Sequence, residues 1–165
     1  MRLADVRILL VEDNPHMAEI VRTVLRSFEA RMLDTADTLE GGWASYVKGG
    51  HDLVILDRNL GREDGLDLVR RIRRGADSPT PFMPILMLTG SAELPTVAAA
   101  RDAGVNEFLV KPFTVTALYE RLAAIVHRPR PFISTETYLG PDRRRRADPD
   151  YAGAERRAGA GVADA

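Results

Sequence analysis

The sequence contains no cysteine, and this absence excludes several kinds of protein. Without a thiol there is no disulfide framework, no thiolate metal site and no cysteine nucleophile. No apolar run approaches the roughly twenty residues needed to span a bilayer, and the N-terminus lacks the apolar stretch of a signal peptide. We therefore expect a cytoplasmic protein that makes no membrane contact.

The size and charge of the chain set further limits. Its 165 residues, 45% of them hydrophobic, suffice for one ordinary domain with a real core and a tail, but not for two large domains. The net charge of -1 is unevenly distributed. From His127 onward there are eight arginines and six acidic residues, a balance of +2, which leaves -3 for the part before it. The body and the tail are therefore expected to behave differently.

The tail, residues 128–165, is rich in proline, glycine, alanine and arginine. Such a composition buries too little apolar surface to offset its ordering entropy, so we expect a domain over 1–127 and a largely disordered tail. Within the tail, the stretch 131–146 sets a few apolar residues ahead of Arg143-Arg144-Arg145-Arg146. This stretch is either a docking segment or a solvated linker. Nucleic acid is not an expected partner, because acidic residues adjoin the arginines.

The body alternates short apolar runs with stretches of helical periodicity. Runs without polar alternation are typical of strands that are covered on both faces. The predicted strands are 6–11, 31–34, 53–57, 85–88 and 106–110, and the predicted helices begin at or near Pro15, Thr38, Gly65, Pro95 and Thr114. Five strands alternating with five helices favour an α/β fold with a parallel sheet. The helix over 95–103 has few large apolar residues, so it should be loosely held.

Four of the five strands end in residues that phosphate chemistry uses: Glu12-Asp13, Asp57, Thr89 and Lys111. The carboxyl ends of parallel strands share one edge of the sheet, which is where ligands bind in open α/β folds. Three crowded carboxylates repel one another, and a divalent cation removes that conflict. The acids therefore predict a Mg²⁺ site.

With a cation in place, Asp57 is a candidate nucleophile toward phosphorus, because carboxylates form acyl phosphates. Lys111 would then pair with one phosphoryl oxygen and Thr89 would donate a hydrogen bond to another. Each residue alone has a plainer reading, as a helix-capping acid, a surface lysine or a strand threonine. Their placement at successive strand ends favours the functional reading.

Several motifs in this chain resemble those of a known family. They are Ile8-Leu9-Leu10-Val11-Glu12-Asp13-Asn14, the Leu56-Asp57 strand end followed by Gly65, Thr89-Gly90, and Lys111-Pro112-Phe113. Over about residues 3–127 the chain resembles the receiver domain of two-component response regulators, the fold of the chemotaxis response regulator. The resemblance implies a flavodoxin-like, doubly wound sheet of five parallel strands in the order 2-1-3-4-5.

The resemblance also implies a set of roles. Asp57 would accept a phosphoryl group from a histidine kinase or a phosphotransfer protein, and the only catalysis would be the domain's own phosphorylation and dephosphorylation. Asp13, Asp57 and the backbone carbonyl of Asn59 would bind Mg²⁺, with Glu12 supporting through water. Phe108 matches the switch aromatic that turns inward when the Thr89 hydroxyl moves toward the phosphate.

The chain departs from the family's pattern in two places, and the resemblance does not specify how the protein passes its signal on. Leu60-Gly61 stands where many members have Met-Pro, and the connection 75–84 is longer than usual. Too few residues follow Ile125 for a DNA-binding output domain, so a stand-alone protein with output by protein contact is expected. The downstream target is unknown, and homodimerisation is left open. The helix over 95–103, the fifth strand and the last helix would form the surface that a partner reads.

Two other functions fit part of the pattern. Haloacid-dehalogenase-like phosphatases also use a strand-end aspartate, a hydroxyl residue and a lysine. In that family a second aspartate usually follows two residues after the nucleophile, where this chain has Asn59. The other alternative is a receiver-like scaffold that never meets phosphate, although the complete site argues against it.

Overall fold

The computed structural model describes residues 3–142 and the backbone of residues 161–163. In chain order its elements are β1 (Arg7–Val11), α1 (Pro15–Ser27), β2 (Met32–Ala36), α2 (Leu39–Lys48), β3 (Leu53–Asp57), β4 (Asn59–Leu60), β5 (Glu63–Asp64), α3 (Gly65–Arg74), β6 (Ile85–Thr89), α4 (Leu94–Ala103), β7 (Glu107–Val110), α5 (Val115–His127), β8 (Phe132–Ser134), β9 (Leu139–Pro141) and β10 (Gly161–Ala163). Among the described residues, no helix is both long enough and apolar enough to cross a membrane.

Five parallel strands form the central sheet in the order β2-β1-β3-β6-β7. Counting only the strands of this sheet, that is the order 2-1-3-4-5, so the predicted doubly wound fold is confirmed. From β1 the chain adds β2 on one side of the sheet and then β3 on the other. This switch leaves a crevice at the carboxyl ends of β1 and β3. The fold thereby places Asp57 beside the end of β1.

Neighbouring residues along each strand point to opposite faces of the sheet, which separates two cores. On one face Leu9 and Val54 pack with the buried sides of α2, α3 and α4. On the other face Leu10 and Ile55 pack with α1 and α5. The α2 aromatics Trp43 and Tyr46 are buried in the first core, whereas Val47 of the same helix is 45% exposed.

Side chains cap four of the five helices at their N-termini. Asn14, Thr38, Asp64 and Thr114 each accept a hydrogen bond from a backbone N–H in the first turn, which satisfies a donor that the helix leaves unpaired. Helix α4 begins at Leu94 without such a bond, and Ala100 is its one buried residue. These two features agree with the expectation that α4 is loosely held.

The expectation of a disordered tail was wrong for residues 132–134 and 139–141, which form strands. Strands β8 and β9 form an antiparallel hairpin, and Phe132 and Ile133 are 5% and 8% exposed. The Phe132 ring packs edge to face on Phe82 of the body, a partner that composition alone does not reveal. The backbone of β10 pairs with β8. Residues 143–160, which include the arginine run, lie outside the described residues.

Candidate functional site

Three acidic side chains meet at the carboxyl edge of the sheet. Glu12 and Asp13 follow β1, Asp57 ends the neighbouring β3, and one carboxylate oxygen from each lies within 4.8 Å of the others. Glu12 and Asp57 are buried, whereas Asp13 is exposed. Anionic oxygens gathered so closely suit a hard divalent cation.

Lys111 brings a positive charge to this cluster from the end of β7. Its Nζ lies 2.9 Å from Asp57 Oδ2 and 3.1 Å from Glu12 Oε2. Its backbone N–H donates to the carbonyl of Thr89 at 2.6 Å, which ties the chain after β7 to the end of β6. Four of the residues singled out from strand ends, Glu12, Asp13, Asp57 and Lys111, therefore lie together.

The electrostatics of the cluster reflect its burial. Burial and the nearby charge of Asp57 raise the pKa of Glu12, and the Lys111 ammonium only partly opposes them. For Lys111, burial lowers the pKa, but hydrogen bonds to Asp57 and Glu12 and their negative charges outweigh it, so the net pKa is raised. The lysine thus stays a cation between two carboxylates.

The second oxygen of Asp57 shows that the site suits a further ligand. Asp57 Oδ1 is buried and has no hydrogen-bond partner among the described residues. Buried polar atoms are almost always paired, so this oxygen indicates a missing partner such as a cation. The atoms that could ligate a metal here are carboxylate oxygens, which are the ligands that Mg²⁺ prefers. The residues present therefore fit a bound Mg²⁺.

The loop after Asp57 contains regular structure. Strands β4 and β5 form a small hairpin whose turn includes Gly61, at a φ of +62°. The N–H of Gly61 donates to Asp13 Oδ2 at 2.8 Å, which orients that carboxylate. Asn59 begins the hairpin, and the role of its backbone carbonyl as a metal ligand stays a prediction.

An ion pair holds this hairpin closed. Arg58 donates two hydrogen bonds to Asp64, at 2.7 and 3.0 Å. Asp64 also caps α3 at Leu66. Sequence reasoning missed this pair, although opposite charges flanking a glycine-containing turn were a usable signal. The pair joins the two ends of a loop that has Leu60-Gly61 where many family members have Met-Pro.

Gly65 lets the hairpin return close to β3, the strand that ends in Asp57. A Cβ at this position would lie 2.2 Å from the carbonyl oxygen of Asp57, nearer than atoms can approach. The N–H of Gly65 also donates to the carbonyl of Arg58 at 2.7 Å. The glycine is therefore required by contact with backbone, and not by an unusual φ.

Thr89 lies at the same edge, at the end of β6. It is buried, and its hydroxyl donates to the carbonyl of Ser91 at 3.3 Å and accepts from the Ser91 N–H at 3.2 Å. These long hydrogen bonds stay within its own loop. The hydroxyl is thus held weakly where the chain leaves the strand.

Phe108 lies on β7, paired with Met87 of β6. Thr89 pairs with Val110, two residues along from Phe108, so the Thr89 and Phe108 side chains are on the same face of the sheet. Phe108 is half-buried and lines a cavity of about 220 Å³ together with Val97 and Ala100 of α4. The ring therefore has open space beside it.

Comparisons with known proteins agree with this architecture. The family described as the response regulator receiver domain matches residues 8–123. Chemotaxis protein CheY-3 of Vibrio cholerae is 36% identical over 124 residues, which are 75% of this chain and 94% of that protein. Chemotaxis protein CheY of Pseudomonas aeruginosa is 34% identical over 124 residues, covering 74% of this chain and 97% of its own length.

Solved structures show the same similarity. The chemotaxis response regulator CheY4 of Vibrio cholerae superposes with a TM-score of 0.66 at 26% identity, covering 73% of this chain and 98% of that one. A putative response regulator from Chloroflexus aurantiacus gives a TM-score of 0.66 at 31% identity, covering 74% and 99%. Each relative is matched over nearly its whole length, while about a quarter of this chain is not matched.

Proposed function

Because the chain belongs to the response regulator receiver domain family, we propose that it is a signalling switch that accepts a phosphoryl group on Asp57. The observation that carries the proposal is the state of that carboxylate. One oxygen is held by Lys111, and the other is buried without a partner beside Glu12 and Asp13. A nucleophile flanked by a cation and a metal-binding cluster is what phosphoryl transfer requires.

We propose that Asp13, Asp57 and the backbone carbonyl of Asn59 hold Mg²⁺, with Glu12 acting through water. Bound there, Mg²⁺ would neutralise carboxylate charge and the charge on the transferring phosphoryl oxygens. The hydrogen bond from Gly61 N–H to Asp13 orients one of these carboxylates before the metal binds.

The transfer itself uses the chain's own residues. A carboxylate oxygen of Asp57 attacks the phosphorus of a phosphohistidine, the O–P bond forms, and the N–P bond to the imidazole breaks. The donor histidine keeps the electron pair of that bond. Lys111 pairs with a phosphoryl oxygen, and Thr89 exchanges its weak hydrogen bonds with Ser91 for a hydrogen bond to another.

We propose a sensor histidine kinase or a histidine phosphotransfer protein as the donor, and protein contact as the output. Phosphorylation adds about two negative charges and three acceptor oxygens at one point. Movement of Thr89 and rotation of Phe108 would repack α4, so the face formed by α4, β7 and α5 would change between the two states. The protein would act in the cytoplasm and would catalyse only its own phosphorylation and dephosphorylation.

Intact mass spectrometry tests this function. Incubation with Mg²⁺ and acetyl phosphate should add one phosphoryl group to the wild type and none to Asp57→Ala. Asp67→Ala is the matched control, since Asp67 is an exposed aspartate in the first turn of α3 and should leave phosphorylation unchanged. An unmodified wild type would favour the scaffold alternative. Sustained turnover of p-nitrophenyl phosphate would instead support the phosphatase alternative.

A further inference from the structure

The segment 130–142, here called the C-terminal hairpin, lies beyond the residues that the family matches. It contains β8 and β9 and lies against α3, α4 and the loop that leads into β7. The curated relatives are covered almost completely by about three quarters of this chain. The hairpin is therefore an addition to the receiver domain, and its contacts indicate what it does.

The hairpin packs onto the second departure from the family, the long connection 75–84. The rings of Phe132 and Phe82 meet edge to face, with centroids 5.5 Å apart. The guanidinium of Arg73 lies 5.0 Å from the centre of the Phe132 ring and donates hydrogen bonds to the carbonyls of Pro81 and Met83. The long connection and the hairpin thus form one packed unit around a buried arginine.

Polar contacts join the same hairpin to the start of β7. Arg130 donates to the backbone carbonyl of Asn106 and lies 3.6 Å from Glu107. Its other terminal nitrogen donates to the carbonyl of Asp142 at 2.9 Å, across the hairpin. One side chain therefore links both ends of the hairpin to the strand that carries Phe108.

Two glycines make the closest approach between hairpin and body. A Cβ on Gly140 would lie 2.7 Å from the Cα of Gly104 and 2.6 Å from the Tyr138 hydroxyl. A Cβ on Gly104 would lie 2.6 Å from the carbonyl of Leu139. The two backbones can touch here only because neither residue has a side chain.

The docked hairpin shares a cavity with the switch aromatic. Tyr138, Pro141 and Arg130 line the same cavity as Phe108 and the α4 residues Val97 and Ala100. The Phe108 ring is thus part of the cavity wall opposite the hairpin. In this same structure the Thr89 hydroxyl is hydrogen-bonded to Ser91 and not to the Asp57 carboxylate. If Thr89 moves toward Asp57 and the ring follows, that wall is removed.

We propose that the C-terminal hairpin is a built-in partner of the α4–β7 corner, docked while Phe108 faces it and loosened when Asp57 is phosphorylated. The proposal rests on the proposed function. Because coupling between two sites is reciprocal, a hairpin that phosphorylation loosens must itself oppose phosphorylation. Undocking the hairpin should then strengthen binding of a phosphoryl mimic by the same factor.

The test uses the full chain, with beryllofluoride and Mg²⁺ as the mimic. Gly140→Ala introduces the Cβ that collides with Gly104, and Phe132→Ala removes the ring that packs on Phe82 and Arg73; both changes lie outside the matched domain. Ser134→Ala, an exposed position in β8, is the matched control. Hydrogen exchange at the amides of Thr135 and Asp142, which bond within the hairpin to the carbonyls of Tyr138 and Pro131, reports docking, because a short hairpin freed from the body is only marginally stable in water. Calorimetry measures the affinity for beryllofluoride.

Three results are expected together. Beryllofluoride should speed exchange at these two amides in the wild type by at least about fivefold, which is the lower end of typical coupling. Gly140→Ala and Phe132→Ala should show fast exchange without the mimic. Both variants should also bind the mimic tighter by the factor seen in exchange, while Ser134→Ala matches the wild type.

The contrary results separate this proposal from the one on which it rests. Equal affinity for beryllofluoride in wild type and in an undocked variant would overturn the coupling and leave the phosphorylation switch standing. Slower hairpin exchange on adding the mimic would overturn its direction. Retained protection in both variants would contradict the docking contacts. A wild type that takes up neither beryllofluoride nor a phosphoryl group would refute the proposed function, and the coupling with it.

Discussion

Replacing Arg73 with methionine should destabilise the protein more than any change to a charged surface residue. The side chain is 2% exposed, and the oxygens that accept its hydrogen bonds belong to uncharged amide groups and not to a carboxylate. Its five N–H donors are all used, on the carbonyls of Gly104, Pro81 and Met83 and on the side chain of Asn106. Burial lowers the pKa of Arg73 to about 9, so it remains charged at neutral pH.

The expected loss follows from the acceptors that methionine leaves behind. The bonds to the carbonyls of Gly104 and Met83 are buried, whereas the one to Pro81 is partly exposed and water can replace it. Asn106 keeps its bond from the N–H of Ile85. Each buried carbonyl left unpaired costs about 1–3 kcal/mol, and the relief from no longer burying a charge offsets part of that cost. We therefore expect a loss of about 3 kcal/mol in the free energy of unfolding.

Urea unfolding at pH 7 measures this loss. Trp43 is the one tryptophan of the chain and lies in the core on the α3 side of the sheet, so its fluorescence reports the transition. Arg74→Met is the matched control, because Arg74 is the adjacent arginine and is exposed. It should stay within about 0.5 kcal/mol of the wild type. A loss below about 1 kcal/mol for Arg73→Met would refute the reasoning that these buried carbonyls depend on Arg73.

Three further predictions concern the site and one edge of the sheet. Gly65→Ala should lower the free energy of unfolding by more than about 2 kcal/mol, because the added Cβ meets the carbonyl of Asp57, and urea unfolding measures the loss. Lys111→Met should bind Mg²⁺ several-fold tighter by calorimetry, since the ammonium no longer neutralises the carboxylates, yet should gain the phosphoryl group more slowly by intact mass. Asp34→Asn should cost about 0.5 kcal/mol at pH 7. The hydrogen bond from His51 and the nearby Arg7 lower the pKa of Asp34 below its ordinary value of 3.8, so its contribution is complete above that value and disappears as the pH falls through the lowered pKa.

Each of these predictions has a contrary result. A stable Gly65→Ala protein with an unchanged urea midpoint would mean that the hairpin after Asp57 shifts at no cost. Weaker Mg²⁺ binding in Lys111→Met would show that the lysine organises the acids instead of competing with the cation. A stability difference between wild type and Asp34→Asn that persists well below pH 3.8 would assign the effect to packing.

The sheet could be predicted from the sequence because its signals are local. Short apolar runs marked the strands of the central sheet, most weakly β2, whose sequence Met-Leu-Asp-Thr-Ala contains polar residues. Asn14, Thr38 and Thr114 marked helix starts through the side-chain oxygens that cap them. The parallel arrangement then required the strand ends to share an edge. The meeting of Glu12, Asp13, Asp57 and Lys111 followed from topology, without any knowledge of distances.

Other features depended on partners far away in the chain. Arg73 reads as one of several arginines near the end of a helix, and its burial follows only from the carbonyls of Gly104, Pro81 and Met83 around it. The expectation of disorder after His127 rested on composition, which measures how much apolar surface a segment carries but not whether a complementary surface exists on the body.

The order of the elements, and the chemical groups that reach the carboxyl edge of the sheet, could be derived from the amino-acid pattern, because both depend on hydrophobic periodicity and strand direction. The three-dimensional fold was needed to reveal that Arg58 and Asp64 close the loop after Asp57, that Gly104 and Gly140 touch, and that the C-terminal hairpin faces Phe108. Those outcomes are set by shape and by hydrogen-bond geometry between distant segments, which no local pattern encodes.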